Sequence, residues 1–513
     1  YRSDVEERLR YRLYFIGAEP GHGALNLRKQ QRSVEDTMKQ IPLIFKTDSY
    51  KTGHFEQMNR DADRIYIYGE SRYGFDNLVW YGLQGIIKLH LMETITVESV
   101  EQMRRFTEAH GTSFNYDGWM DIAVNFEGKL PFTIRALPEG MVVPSRTPVF
   151  VLYNEGGKRT SWLIPYFEAL LHRVWYPTVV ATKDLEKYAM LRKWAEKSVD
   201  DVDAYLTFAL HDFGARGASS SETAAIGGSA HLMGMFRGTD TLEGAWFAKE
   251  AYGLNDDVAG YSVNAIEHNV VLSHGVENEY NLFKDLIDLY LPAGKIISIV
   301  SDTRDIDAAV DWYIDNQDYI ADQAAKGGEG SRVVVRPDSG DPIEVPVRVV
   351  KKLIKGMSKY VTKNNKGYLV LPSWIRVIQG DGVELEQMDA IHTLLTDAGI
   401  SAENIIFGQG GSMLQAHGRD DAGFAMKMSA MEVDGRMVKT SKKPKTDARK
   451  HSREGYFKVA RDENGDIVTL ATDDPENSGL LEVVYSNGEL IRDMTFDQVR
   501  ANYEIFVNKK WNC

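Results

Sequence analysis

Between residues 205 and 415 the hydrophobic positions follow one repeating theme. A short continuous apolar run gives way to a cluster of Gly, Asp, His, Arg or Ser, and a helical pattern follows before the next run. The runs stand at 205–210, 232–236, 261–266, 296–300, 333–335, 375–378 and 405–407. Their spacing, roughly 30 residues or more, is that of one βα unit. Segment 383–398 sets Leu385, Met388, Ile391, Leu394 and Leu395 on one face and predicts an amphipathic helix. Apolar strands alternating with helices predict a parallel sheet covered on both faces. The polar clusters come after the strands, as do the loops that build active sites at the C-terminal ends of barrel strands. The fold class is therefore α/β, a distorted (α/β) barrel over 181–424, with a doubly wound open sheet as the alternative because periodicity does not report closure.

The flanks read differently. Segments 41–180 and 425–513 carry hairpin signals at Val433-Asp434-Gly435 and Asn487-Gly488 and a strand pattern at 149–153. Together they predict a β-rich second domain built from both chain ends. Residues 1–40 mix charges of both signs around a Pro/Gly cluster at Pro20, Gly21 and Gly23, which predicts an extension with one short helix and no assigned chemistry.

Charge and cysteine content narrow the classes. Sixty basic against 74 acidic residues give a net charge of -14, which argues against broad electrostatic binding of nucleic acid or anionic membrane. The longest stretch without charge, 404–418, is glycine-rich and short of the ~20 apolar residues of a membrane span. The one cysteine, Cys513, excludes an intrachain disulfide and a cysteine-ligated metal site. With no signal peptide visible, the expected compartment is the cytoplasm.

Each polar cluster has a plain reading when taken singly. Asp212-Phe213-Gly214 resembles a kinase magnesium motif, but no catalytic HRD loop precedes it. The 408–411 GQGG run is neither GxGxxG nor GxxxxGK[ST], so a tight βα turn explains it as well as a phosphate loop does. In a barrel, however, these loops converge on one face and bring Arg216, Asp240, His268, Asp302, Arg336, Asp338 and Asp381 toward one pocket. Arginines and loop glycines suit phosphates, and carboxylates suit ribose hydroxyls or a phosphate-bound Mg²⁺. A second basic region, 436–453, has eight Lys/Arg against one Asp. It is either a solvated loop or the grip for a polyphosphate.

The motifs TDSYK (47–51), LHDFGARG with SSSETAAIG (210–227), FRGTDT (236–241), GYSVNAIEH (260–268), VRPDSGDP (335–342), IRVIQGDGV (375–383) and FGQGG (407–411) carry a family likeness. From about residue 41 to 503 the chain resembles the nicotinamide phosphoribosyltransferases. That resemblance implies transfer of phosphoribosyl from phosphoribosyl pyrophosphate to nicotinamide, giving nicotinamide mononucleotide and pyrophosphate in NAD salvage. It also implies Mg²⁺ carried through pyrophosphate with no resident metal, ATP as an activating co-substrate, and a homodimer with shared active sites. Phe213 and the partner subunit's Tyr50 would sandwich the pyridine ring, with Arg216 beside it and Asp240 accepting from the carboxamide. Asp338, beside Arg336, would contact ribose hydroxyls. Gly380, Asp381, Gly410 and Gly411 would cradle the ribose and its 5'-phosphate, and Arg72, Arg419 and Lys427 would bind phosphate or pyrophosphate. His268 would be phosphorylated by ATP, supported by Glu267 and Asp302.

The sequence departs from that pattern at Asn264, where proline is expected, and at Ser412, where a third glycine is common. Neither position carries a proposed chemical role. The lysine-rich stretch 439–450 aligns in more than one way, so no single lysine is assigned. Two rivals remain: a nicotinate phosphoribosyltransferase, disfavoured because the Asp240 anion repels a carboxylate ligand, and a non-catalytic binding protein on the same fold, disfavoured by the joint presence of His268, Arg336, Asp338 and Arg419.

Overall fold

The structure, a computed structural model, describes residues 41–511; the 1–40 extension and Cys513 lie outside them. Seven parallel strands follow one another around a ring: β1 (Leu210–Asp212), β2 (Gly238–Thr239), β3 (Asn264–Ala265), β4 (Ile296–Val300), β5 (Arg332–Arg336), β6 (Ile375–Gln379) and β7 (Ile405–Gln409). β7 returns to pair with β1, so the only open edges are β2 and β3. A single parallel bridge between Gly238 and Tyr261 joins them, and the distorted barrel closes.

Strand alternation explains both the wall and the hole. Ile297, Ile299, Val333, Val335, Ile375, Val377, Ile405 and Phe407 are fully buried against the surrounding helices. The intervening residues, Ser298, Val334, Arg376, Ile378 and Ile406, face inward. They leave the barrel interior unfilled, with a cavity of about 370 Å³ running through it.

Two of the expected strands sit elsewhere. Segment 205–210 begins as the helix Val202–Thr207, with β1 starting only at Leu210. Segment 232–236 begins as the end of the helix Ser221–Met233, and β2 lies at Gly238–Thr239. Both runs mix strand-favouring Tyr, Thr and Phe with helix-favouring Leu, Met and Ala, and a short apolar run of that kind does not distinguish a buried strand from a buried helix. In the helix Leu385–Thr396 the buried stripe is Met388, Ile391, His392 and Leu395, while Leu394 is exposed.

The second sheet is antiparallel. Its strands run in the order Arg436–Lys439, Ala425–Val433, Ala62–Glu70, Pro148–Asn154, Phe132–Ala136, Glu482–Ser486 and Glu489–Leu490, so both chain ends contribute. Asp434 with Gly435, and Asn487 with Gly488, all have positive φ, the geometry that two-residue hairpins require. The C-terminal helix Phe496–Trp511 leaves this sheet and buries Phe496, Val499, Tyr503 and Val507 in the hydrophobic core that surrounds the barrel. No helix among the described residues is long and apolar enough to cross a membrane.

Candidate functional site

The barrel cavity has an apolar slot with a few polar groups at the C-terminal ends of the strands. Phe213 lies in the loop after β1, its amide donating to the Gln409 carbonyl at 2.9 Å. Its ring rests on strand-end glycines: a Cβ at Gly408 would stand 2.0 Å from the ring, and one at Gly380 3.2 Å. Asp240 follows β2, its amide held by the Asp212 carbonyl at 2.9 Å, and its Oδ1 accepts from the Ser262 hydroxyl. Arg336 ends β5 and reaches into the same cavity, with Nη2 donating to the Ile266 carbonyl at 2.8 Å. Its Nε is buried without a hydrogen-bond partner, 3.8 Å from Asp338 Oδ1. His211, also in the wall, is pulled down to about 4 by burial and then by the nearby His231, so it is a neutral ring.

A second cluster joins the loops after β3, β4 and β5. His268 opens the helix His268–His274, and its Nε2 lies 3.0 Å from Asp302 Oδ1. The other Asp302 oxygen accepts from the Asp338 amide at 3.0 Å and from the Ser339 hydroxyl. Asp302 is nearly buried, so the imidazole is held from a fixed base while the ring itself stays 41% exposed. Nδ1 is 3.9 Å from Asp338 Oδ2. Burial raises the Asp338 carboxyl above the usual carboxylate range, against the pull of Arg336. Glu267, expected beside His268, instead accepts from Asn269 at 3.1 Å and points to solvent.

A third group sits on the antiparallel sheet and forms a separate cradle of about 320 Å³. Arg72, Arg419 and Lys427 line it together with Tyr50, and 436–453 supplies Lys442 and Lys450. Lys51 also lines it, and Lys51 is partnered by Glu168 at 2.6 Å. Burial lowers the Lys427 ammonium; Glu168 opposes that shift, and Arg72, Lys442 and Lys51 add to it. Nothing that lines this cradle also lines the barrel cavity, and Tyr50, 62% exposed, stands with the cations rather than against Phe213 of its own chain.

The remaining expected residues flank the barrel mouth. Arg216 is exposed and makes no hydrogen bond or ion pair with the described residues, and Asp381 is exposed beyond Gly380. A side chain at Gly410 would meet open space, whereas Gly217 packs so closely on Gly411 that its Cβ would fall 2.3 Å from the Gly411 Cα. No group of three or more His, Cys, Asp or Glu among the described residues could hold a metal ion. Ser262, His211, Lys51 and the pair Arg332 and Arg376 at the far end of the cavity were not singled out from sequence. Ser262 could have been, because it sits inside the 260–268 motif.

Residues 208–489 match the nicotinate phosphoribosyltransferase (NAPRTase) family, and residues 42–134 match the nicotinamide phosphoribosyltransferase N-terminal domain. The nicotinamide phosphoribosyltransferase of Xanthomonas campestris pv. campestris is 38% identical over 469 residues, 90% of this chain and 97% of that protein. That of Acinetobacter baylyi is 30% identical over 491 residues, 88% and 95% of the two chains. Two solved structures share the fold at 15% identity. They are the nicotinate-nucleotide pyrophosphorylase of Pyrococcus furiosus, with a TM-score of 0.54 over 91% of this chain and 95% of that one, and human nicotinic acid phosphoribosyltransferase, with 0.53 over 90% and 94%.

Proposed function

We infer, from a chain that belongs to the nicotinamide phosphoribosyltransferase family, that the barrel slot binds nicotinamide and that phosphoribosyl pyrophosphate spans the barrel mouth. The observation that carries this reading is the slot itself: an aromatic ring seated on two glycines opposite one carboxylate that already accepts from Ser262. A flat heteroaromatic ring suits the Phe213 face, and Asp240 suits a ligand N–H₂ while repelling a carboxylate.

In the reaction the bond from the ribose anomeric carbon to the pyridine nitrogen forms as the bond to pyrophosphate oxygen breaks. Positive charge grows on the ribose and negative charge on the leaving group, so alignment and electrostatics supply the acceleration. Phe213 and Asp240 orient the ring, and Asp338 beside Arg336 serves the ribose hydroxyls. Arg216 and the loop of Gly380, Asp381, Gly410 and Gly411 take the 5'-phosphate, where the open space at Gly410 leaves room for it. Mg²⁺ would arrive on the pyrophosphate oxygens and neutralise their growing charge; half-buried Asp338 offers oxygen donors of the kind it takes.

The cation cradle of Arg72, Arg419 and Lys427 would receive pyrophosphate, and its separation from the slot within one chain favours a homodimer in which each slot faces the partner's cradle. Tyr50 would then reach across to Phe213 of the other protomer. For ATP coupling, Asp302 holds the Nε2–H of His268 and leaves Nδ1 as the nucleophile. A bond from Nδ1 to the γ-phosphorus would form as ADP departs. Incubation with phosphoribosyl pyrophosphate, Mg²⁺ and either pyridine base, with and without ATP, tests the whole reading: nicotinamide mononucleotide is the expected mass, and equal turnover of nicotinate sinks the assignment of Asp240.

A further inference from the structure

Behind the slot lies a charged cluster that none of the roles above uses. His231, in the last turn of the helix Ser221–Met233, is fully buried and stacks on Phe236 at 5.6 Å. Its Nδ1 lies 2.6 Å from Asp184 Oδ2, and its Nε2 lies 3.1 Å from the carbonyl oxygen of Gly238. Asp184, also buried, is paired on its other oxygen with Lys187 at 2.9 Å. Burial alone would raise the Asp184 carboxyl, but Lys187 and His231 together hold it well below the usual carboxylate range, so it is an anion.

A carboxylate and a carbonyl can only accept. Both ring nitrogens of His231 therefore face acceptors, and a neutral imidazole satisfies just one of them. With a single hydrogen, a nitrogen lone pair would oppose an oxygen lone pair inside a site closed to water, an arrangement that buried polar groups avoid. The heavy-atom network thus assigns hydrogen to both nitrogens.

What this link holds is the recognition strand. Gly238 and Thr239 are the whole of β2, and Asp240 is the next residue. β2 is otherwise tied by short pairings with β1 and the Tyr261 bridge. We propose that His231, as an imidazolium clamped between Asp184 and the Gly238 carbonyl, is a positioning residue that sets the Asp240 carboxylate for the carboxamide of nicotinamide. The proposal rests on the reading of Asp240 given above.

The groups facing His231 are Asp184 and Lys187 from the helix Trp175–Ser198, and His211 and Asp212 from β1. Tyr503 of the C-terminal helix and His417 approach Asp184. The charge of a doubly protonated His231 is met by Asp184, which Lys187 shares; burial raises the Asp212 carboxyl, and His231 works against that rise. His231→Asn sets an amide N–H₂ about where Nδ1 stands and keeps the donor to Asp184, but has nothing that reaches the Gly238 carbonyl, so that bond alone is lost. Asp184→Asn does not lose it, because the new amide turns its oxygen to Lys187 and its N–H₂ to Nδ1, leaving the ring hydrogen on Nε2.

Nitrogen chemical shifts of ¹⁵N-labelled histidine in the unmodified protein at neutral pH read the ring state directly. The expected result is one doubly protonated ring that disappears in His231→Gln. In His231→Asn the KM for nicotinamide rises roughly tenfold, the size of one charge-assisted hydrogen bond. In the same variant kcat and the KM for phosphoribosyl pyrophosphate hold within about twofold. A neutral His231 ring overturns the inference, and so does an unchanged nicotinamide KM or a uniform fall in kcat alone. If Asp240→Asn leaves base preference unchanged, the reading of Asp240 is what fails, and the two failures are told apart because the doubly protonated ring persists in that variant.

Discussion

Replacing Gly408 by alanine should disarm the base slot without touching a single polar group. The new Cβ would stand 2.0, 2.3 and 2.8 Å from three carbons of the Phe213 ring. Carbon pairs settle at about 3.5–4.0 Å, so the ring has to retreat by roughly 1.5 Å or more. The Phe213 backbone is pinned through its amide to Gln409, which throws the displacement onto the side chain. Gly408 is not one of the positive-φ glycines, so the substitution adds no backbone strain. Loss of an aligned aromatic contact is worth about 0.5–1.5 kcal/mol, or roughly a two- to twelvefold rise in the nicotinamide KM. Overpacking should also lower stability by about 1–3 kcal/mol. Steady-state kinetics at saturating phosphoribosyl pyrophosphate read the first effect, and denaturant unfolding reads the second. Gly380→Ala is the internal control, because its Cβ at 3.2 Å asks the ring to give only slightly. In a Phe213→Ala background Gly408→Ala should do little, and the double-mutant cycle should show coupling. An unchanged nicotinamide KM in Gly408→Ala, or a larger effect from Gly380→Ala, refutes the seating of Phe213 on Gly408.

Asp240→Asn should raise nicotinate turnover relative to nicotinamide, read as the ratio of kcat/KM for the two bases; an unaltered ratio removes Asp240 from recognition. His268→Ala should abolish ATP stimulation while leaving ATP-independent turnover and the unfolding midpoint in place, and retained stimulation counts against a phosphohistidine. Arg72→Met should raise the KM for phosphoribosyl pyrophosphate but not for nicotinamide, which separates the cradle from the slot in one experiment. Acid should destabilise the fold through buried histidines: burial pulls His211 down to about 4 and His392 to about 3, below their ordinary value of 6.5. The unfolded chain then binds more protons between those values and 6.5, so a few kcal/mol of stability present at neutral pH is lost as pH falls through that window. Flat stability between pH 7 and 4 would contradict the burial of both rings.

What the sequence announced and what it hid follow the chemistry of the side chains. β4 to β7 are dense in Val and Ile, and each was legible as a continuous apolar run. β1 and β2 are three and two residues long and sit beside helical Leu, Met and Tyr, so local pattern placed them too early. The pairs Asp434-Gly435 and Asn487-Gly488 were readable because few residues other than glycine and asparagine or aspartate accept positive φ. The placing of the C-terminal helix was not readable, since choosing which core buries Phe496 and Tyr503 is a tertiary decision. Among the site residues, convergence of the strand-end loops put Asp302 and His268 on one face, and their contact was an implication of the resemblance; Glu267 is turned to Asn269, as neighbours in sequence at a helix N-terminus do not face each other. His231 and Asp184 gave no signal: each reads alone as an ordinary helical polar residue.

The barrel is fastened unevenly. β4 and β5 share five residue pairs, whereas Gly238 and Tyr261 hold the ring shut with little more than two backbone bonds, Thr239 N–H to the Tyr261 carbonyl and Tyr261 N–H to the Arg237 carbonyl. Asp240 lies on one lip of that joint and Ser262 on the other, linked by the hydroxyl. A ligand that engages both therefore acts as a stitch across the weakest row of the wall. Occupying the slot should slow amide hydrogen exchange at Thr239 and Tyr261 more than anywhere in β4 or β5, so base recognition and closure of the ring are one event.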